Sequence, residues 1–149
     1  MLPGIAAPVF GAEDVPVPEK CTKEVNAHLS ELMRRRAKEK ADNVMVCGET
    51  VGNSHRQKGH KHGDHQIIAV LAIMPDGSKR PIEVVTNDEL DGKVTAKKGD
   101  MVFAYGQVFF DNLHDYAAGI HDVHCSTHKG ANNGWVVVNG VKSPTNCPI

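Results

Sequence analysis

Gln66-Ile67-Ile68-Ala69-Val70-Leu71-Ala72-Ile73-Met74 is a nearly continuous apolar run. It is too short and too rich in β-branched residues for a convincing helix, and Pro75-Asp76-Gly77 closes it with a turn. A strand is the reading, and it needs neighbours. Val44 to Val51 supplies one upstream, with Gly48 marking a bend or bulge, and Pro81 to Thr86 completes a three-strand meander. After the polar, irregular stretch 87–98, Lys98-Gly99-Asp100 turns into a fourth strand, Met101 to Phe110, which has its own interior glycine at Gly106. Ile120 to Cys125 is the fifth. Trp135–Val138 and Val141–Lys142 flank Asn139-Gly140, a strong hairpin signal.

This order predicts a mainly β fold: a small, partly open five-stranded barrel of the OB type, with an SH3-like barrel as its competitor. A helix from about Thr22 to Ala41 would plug one end. Cys21 or Thr22 can cap it, Glu24 suits its first turn, and Val25, Leu29, Leu32, Met33 and Ala37 form one apolar stripe. The run Arg34 to Lys40 lies mostly off that stripe and reads as a solvated face rather than a nucleic-acid patch. Residues 21–149 are expected to be one barrel domain. Residues 1–20 are expected to be an extended arm or the remnant of a signal segment, since the prolines at 16 and 18 push their predecessors out of the helical region.

A chain of 149 residues with a net charge of −1 carries no strong field, so charge alone predicts neither general nucleic-acid affinity nor membrane-surface binding. No stretch approaches the roughly 20 apolar residues of a membrane helix. Cys21, Cys47, Cys125 and Cys147 form no C-x-x-C pair. They suit two disulfides of an oxidising, periplasmic or secreted location better than a zinc knuckle, with reduced buried thiols as the alternative. A helix of about 20 residues climbs about 30 Å, and the strand from Asn43 to Cys47 returns only about 13 Å of it. A direct Cys21–Cys47 bond is therefore disfavoured, and pairings to Cys125 or Cys147 are expected.

Nine histidines are many for this length, and all but His28 fall between positions 55 and 128. In an OB barrel the loops after strands one and four flank the binding face. Here those are residues 52–65, with His55, His60, His62 and His65, and residues 111–118, with His114 leading into His121. Imidazole is a common ligand for zinc and copper, and three with an open position make a Lewis-acid centre. The set expected is His65, His121 and His124. His60, His62, Asp64, Gln66, Asn87, His114, Asp122 and His128 are further ligands or supports. One objection is geometric: in a regular strand His121 and His124 point to opposite faces, so both reach one ion only if the strand bends or ends between them. The bland reading of His60-x-His62 is loosely ordered loop histidines. For Gln66 and Asn87 it is backbone satisfaction, and for Trp135 it is a place in the core.

From Asn43 to Val141 the chain resembles a small family of bacterial proteins of unknown function marked by a His-Trp-Thr-His motif. The resemblance rests on His65-Gln66, Asn87, Gly99-Asp100, His121-x-x-His124 and Gly134-Trp135 at matching spacing. Asp122-Val123 replaces the motif's middle pair, Cys125 stands where members often carry another histidine, and the insertion 59–63 is unusually His-rich. The resemblance implies a shared site at His65, His121 and His124 and no particular activity.

Three functional readings follow. One is a periplasmic or secreted OB-like binding module with a histidine-rich transition-metal site, taking an unknown small ligand or oligonucleotide in its groove. Another is a metal-dependent hydrolase of the nuclease or phosphodiesterase type. The third is a structural subunit that forms homo-oligomers through its N-terminal arm. No Ser-His-Asp motif, Gly-rich phosphate loop or dinucleotide fingerprint is present.

Overall fold

Successive side chains of a strand point to opposite faces, and that period sorts them between a barrel interior and its outer wall. The computed structural model describes residues 12–59, 61 and 63–147. The strands are β1 (Ala41–Thr50), β2 (His55–Gln57), β3 (His65–Ile73), β4 (Lys79–Asn87), β5 (Met101–Phe109), β6 (Ala118–His121), β7 (Trp135–Val138) and β8 (Val141–Ser143). They hydrogen-bond in the order β1-β3-β4-β6-β5, and β5 pairs back onto β1, which closes a five-stranded barrel. β4 and β6 run parallel and every other pair is antiparallel. The OB-like barrel expected from the strand pattern is therefore present, closed rather than partly open. β2 is an addition to β3 inside the loop 52–65, and the β7–β8 hairpin extends the sheet from the first half of β5.

Ile68, Val70, Ile82, Val84, Val102, Val108 and Ile120 fill the interior, each 0% exposed. A second, outer cluster of Cys47, Phe103, Tyr105, Trp135 and Val137 lies on the wall of β1, β5 and β7, and Val15, Val17 and Val25 pack onto it. The segment 12–20, expected to belong to an extended arm or signal remnant, is thus a strap over this wall. It is tied down where Trp135 Nε1–H donates to Val15 O at 2.9 Å and Asn133 Nδ2–H to Asp14 Oδ1 at 2.9 Å. Residues 1–11 lie outside the described residues.

The expected helix over 22–41 is shorter. A 3₁₀ turn, Lys23–Asn26, leads into α1, Ala27–Arg34, and Arg35 is already extended. The reason lies in the stripe: Leu29, Leu32 and Met33 are buried in the main core, whereas Ala37 is exposed among like charges and has nothing to pack against. This shortening also overturns the cysteine expectation. The bonds are Cys21–Cys47 and Cys125–Cys147, with Cα separations of 5.7 and 5.4 Å. A helical climb of only about 20 Å, followed by extended residues from 35 onward, brings the chain back beside Cys21.

Asn26 closes a gap between β1 and β3. Its side chain donates to Cys47 O (3.1 Å) and Ile73 O (3.0 Å), and it accepts from the Cys47 N–H (2.8 Å), acting as a stand-in for a strand partner. It is fully buried. Asn26→Ala leaves these groups unpaired, and chemical denaturation should show a loss of about 2–3 kcal/mol.

Candidate functional site

β6 ends at His121, not at Cys125 as its apolar pattern suggested, because Asp122 adopts a left-handed φ of 54° that turns the chain. Asp tolerates that region better than most residues. Gly106 and Gly134 let the turn lie flat on β5. A Cβ on Gly106 would come within 2.3 Å of His121 O, and one on Gly134 within 2.6 Å of Asp122 O. After the turn Val123 enters the core, fully buried, and His124 follows at 8% exposure.

The two motif histidines have separate partners. His124 Nδ1 lies 3.0 Å from Asp91 Oδ1, in the short helix α2, Asp88–Asp91, which follows β4. Asp91 is 3% exposed, and its other oxygen accepts the Asn87 N–H. A carboxylate can only accept here, so His124 carries its proton on Nδ1, and its Nε2 has no partner among the described residues. His121 instead packs its ring 4.5 Å from that of Phe109 and donates from Nε2 to Gln107 Oε1 at 2.7 Å. Gln107 Nε2–H donates to Asp42 Oδ1 (2.9 Å), and His128 Nε2–H to Asp42 Oδ2 (3.0 Å). His121, Gln107, Asp42 and His128 are thus one hydrogen-bonded chain.

Charge follows these contacts. Burial opposes a proton on His124, but the hydrogen bond and charge of Asp91 outweigh it and hold its pKa above the ordinary value. Burial dominates at His121 and pushes its pKa down, against the pull of Asp122 and Asp111. At Asp42 burial alone would raise the pKa. The hydrogen bonds from His128 and Gln107 hold it below the usual carboxylate range.

Asp42, Gln107, Asp122, His124, Ser126 and His128 border a void of about 10 Å³. That is room for one water-sized occupant. Disulfide-bonded Cys125 lines it as well and is excluded as a ligand or nucleophile.

The other expected residues lie elsewhere. His65 opens β3 opposite Asn87, with its Nδ1 buried and unpartnered. Asp64 accepts from Arg56 and from the Gly59 N–H, which shapes its loop. Gln66 Nε2–H donates to Asp88 at 3.0 Å. His114 is exposed on the β5–β6 loop, and His60 and His62 fall outside the described residues. Among the described residues no three His, Cys, Asp or Glu side chains stand ready to hold a metal ion. Sequence reading missed Asp91, Asp42 and Gln107, the groups that orient the histidines, because each lies in a segment far from the motif.

No family model matches the chain, and no curated protein or solved structure is significantly similar to it.

The Asp91–His124 pair gives a pH signature. A histidine whose folded pKa exceeds its unfolded value of about 6.5 adds stability that is complete below that value and lost as pH rises through the folded one. Metal-free protein should therefore lose stability relative to Asp91→Asn as pH rises above about 6.5, with urea midpoints measured for both. Parallel profiles would remove the assignment.

Proposed function

We propose that the protein is an OB-like binding module of the periplasm or extracellular space, and that its histidine–carboxylate end takes up a single transition-metal ion, zinc or copper. The observation that carries this reading is His124: buried, clamped through Nδ1 by Asp91, without a partner at Nε2 among the described residues, and part of the lining of a void about the size of one ion. Ligating histidines are characteristically oriented by a carboxylate in this way. Asp122 and His128 have side-chain exposures of 41% and 44%, whereas His124 and Asp91, at 9% and 1%, are fixed, so an ion would draw in Asp122 directly and His128 by exchange for its bond to Asp42. His121, held by Gln107, is a further imidazole beside this turn, whereas His65 opens β3 and does not line the void. Two disulfides support an oxidising compartment, and no helix of the described residues is long and apolar enough to cross a membrane.

Untagged, chelator-stripped protein should bind about one zinc or copper ion per chain by calorimetry. At about a hundredfold excess over Kd, binding should add about 2.7 kcal/mol of stability. His124→Ala should abolish both effects. Absence of stoichiometric metal, together with unchanged melting on adding either ion, would overturn the reading.

A further inference from the structure

A groove of about 550 Å³ runs between the 3₁₀ turn and the ends of β1, β3 and β5, and it shares no lining residue with the void at His124. Its floor is apolar: Val51, Ile73 and Met101 are 48%, 46% and 37% exposed, and Leu71 lies between them. Large aliphatic side chains grouped this way on a surface mark a binding site more often than chance exposure. The helix-side wall is rigid, because the Cys21–Cys47 bond and the buried Asn26 hydrogen bonds fix it to β1 and β3. The groove is therefore formed before anything enters it, as small-molecule sites usually are.

Size and charge narrow the occupant. The volume falls within the range of about 300–1,000 Å³ for small-ligand sites. Its 12 lining residues are well short of the roughly 20–30 per side of a stable protein interface. Lys23 and Lys79 stand at the rim, and neither has a carboxylate within 4.0 Å among the described residues. Glu49 is the single acidic residue of the lining. We infer that this groove binds a small amphiphilic carboxylate, with the aliphatic body on Val51, Leu71, Ile73 and Met101 and the anionic head between Lys23 and Lys79. This site is separate from the histidine end, so it stands or falls independently of the metal reading.

The test is a titration of the full chain with sodium dodecanoate below its micelle concentration, followed by amide NMR. Amides of residues 49–51, 71–73, 79 and 101 should shift, while those of 121–128 stay in place. Ile73→Glu, at a surface position, should leave melting unchanged and weaken binding about tenfold or more, and Lys79→Glu should do the same. Dodecyltrimethylammonium, with the same tail and the opposite head charge, should bind at least about tenfold more weakly. Three results overturn the inference: no shifts by about 1 mM dodecanoate, equal affinity for the two head groups, or dimerisation of the chain through these same residues.

Discussion

Trp135→Ala is expected to destabilise the protein by about 3–5 kcal/mol, the usual range for truncating a buried tryptophan. Trp135 is 2% exposed and stacks on Tyr105, with ring centroids 5.7 Å apart, inside the outer cluster. It is also the anchor of the strap through the bond to Val15 O. Truncation therefore opens a cavity and frees residues 12–20 at once. Trp135→Phe separates the two effects, since it keeps most of the packing and loses the indole donor. Urea denaturation should place the phenylalanine variant between wild type and alanine. Limited proteolysis should cut the strap in both variants and spare it in wild type. An intact strap in Trp135→Ala would show that its anchoring lies elsewhere.

Replacing both Cys21 and Cys47 with alanine should remove about 3.5 kcal/mol. That is the loop-closure value for a cross-link spanning 26 residues, before any native-state relaxation. The bond joins the strap's end and the 3₁₀ turn to the middle of β1, so its loss falls on the same wall as Trp135. The Cys125–Cys147 bond, spanning 22 residues, closes a loop of similar size at the other end. Breaking it alone should lower stability less than opening both. Denaturation midpoints of the paired variants under oxidising conditions check the ordering, and an unchanged midpoint in the Cys21/Cys47 variant would contradict it.

Sequence displayed the barrel because its strands are short, apolar, β-branched runs bounded by turn residues. Ile68, Val70, Ile82 and Val84 face inward at every second position, and Gly48 and Gly106 fall where strands press closely on their neighbours. The strap was not legible, because Val15-Pro16-Val17-Pro18 packs on a surface assembled from Cys47, Phe103, Tyr105, Trp135 and Val137, which lie between about thirty and about 120 residues downstream. One signal did exist. Val102-Phe103-Ala104-Tyr105-Gly106 has no charged or amide residue to face solvent, the mark of a strand covered on both faces, and all five are buried. The first disulfide was misjudged because the apolar stripe was extended through Ala37, which has no core to face. At the candidate site the histidines stood out by composition. The carboxylates that orient them did not, since Asp42 and Asp91 resemble any other polar loop residue until the fold brings them to His128 and His124.

Barrel closure has a consequence for how the chain reaches this state. β1 finds its main partner only in β5, pairing residues 41–49 with 101–108, and β6 must then slot in beside β4 in parallel. Such distant pairings make folding slow compared with helical proteins of equal size. Until about the last third of the polypeptide has been synthesised, the first strand stands with an unpaired edge. Products truncated before residue 101 are thus open sheets, prone to stick to one another rather than to fold.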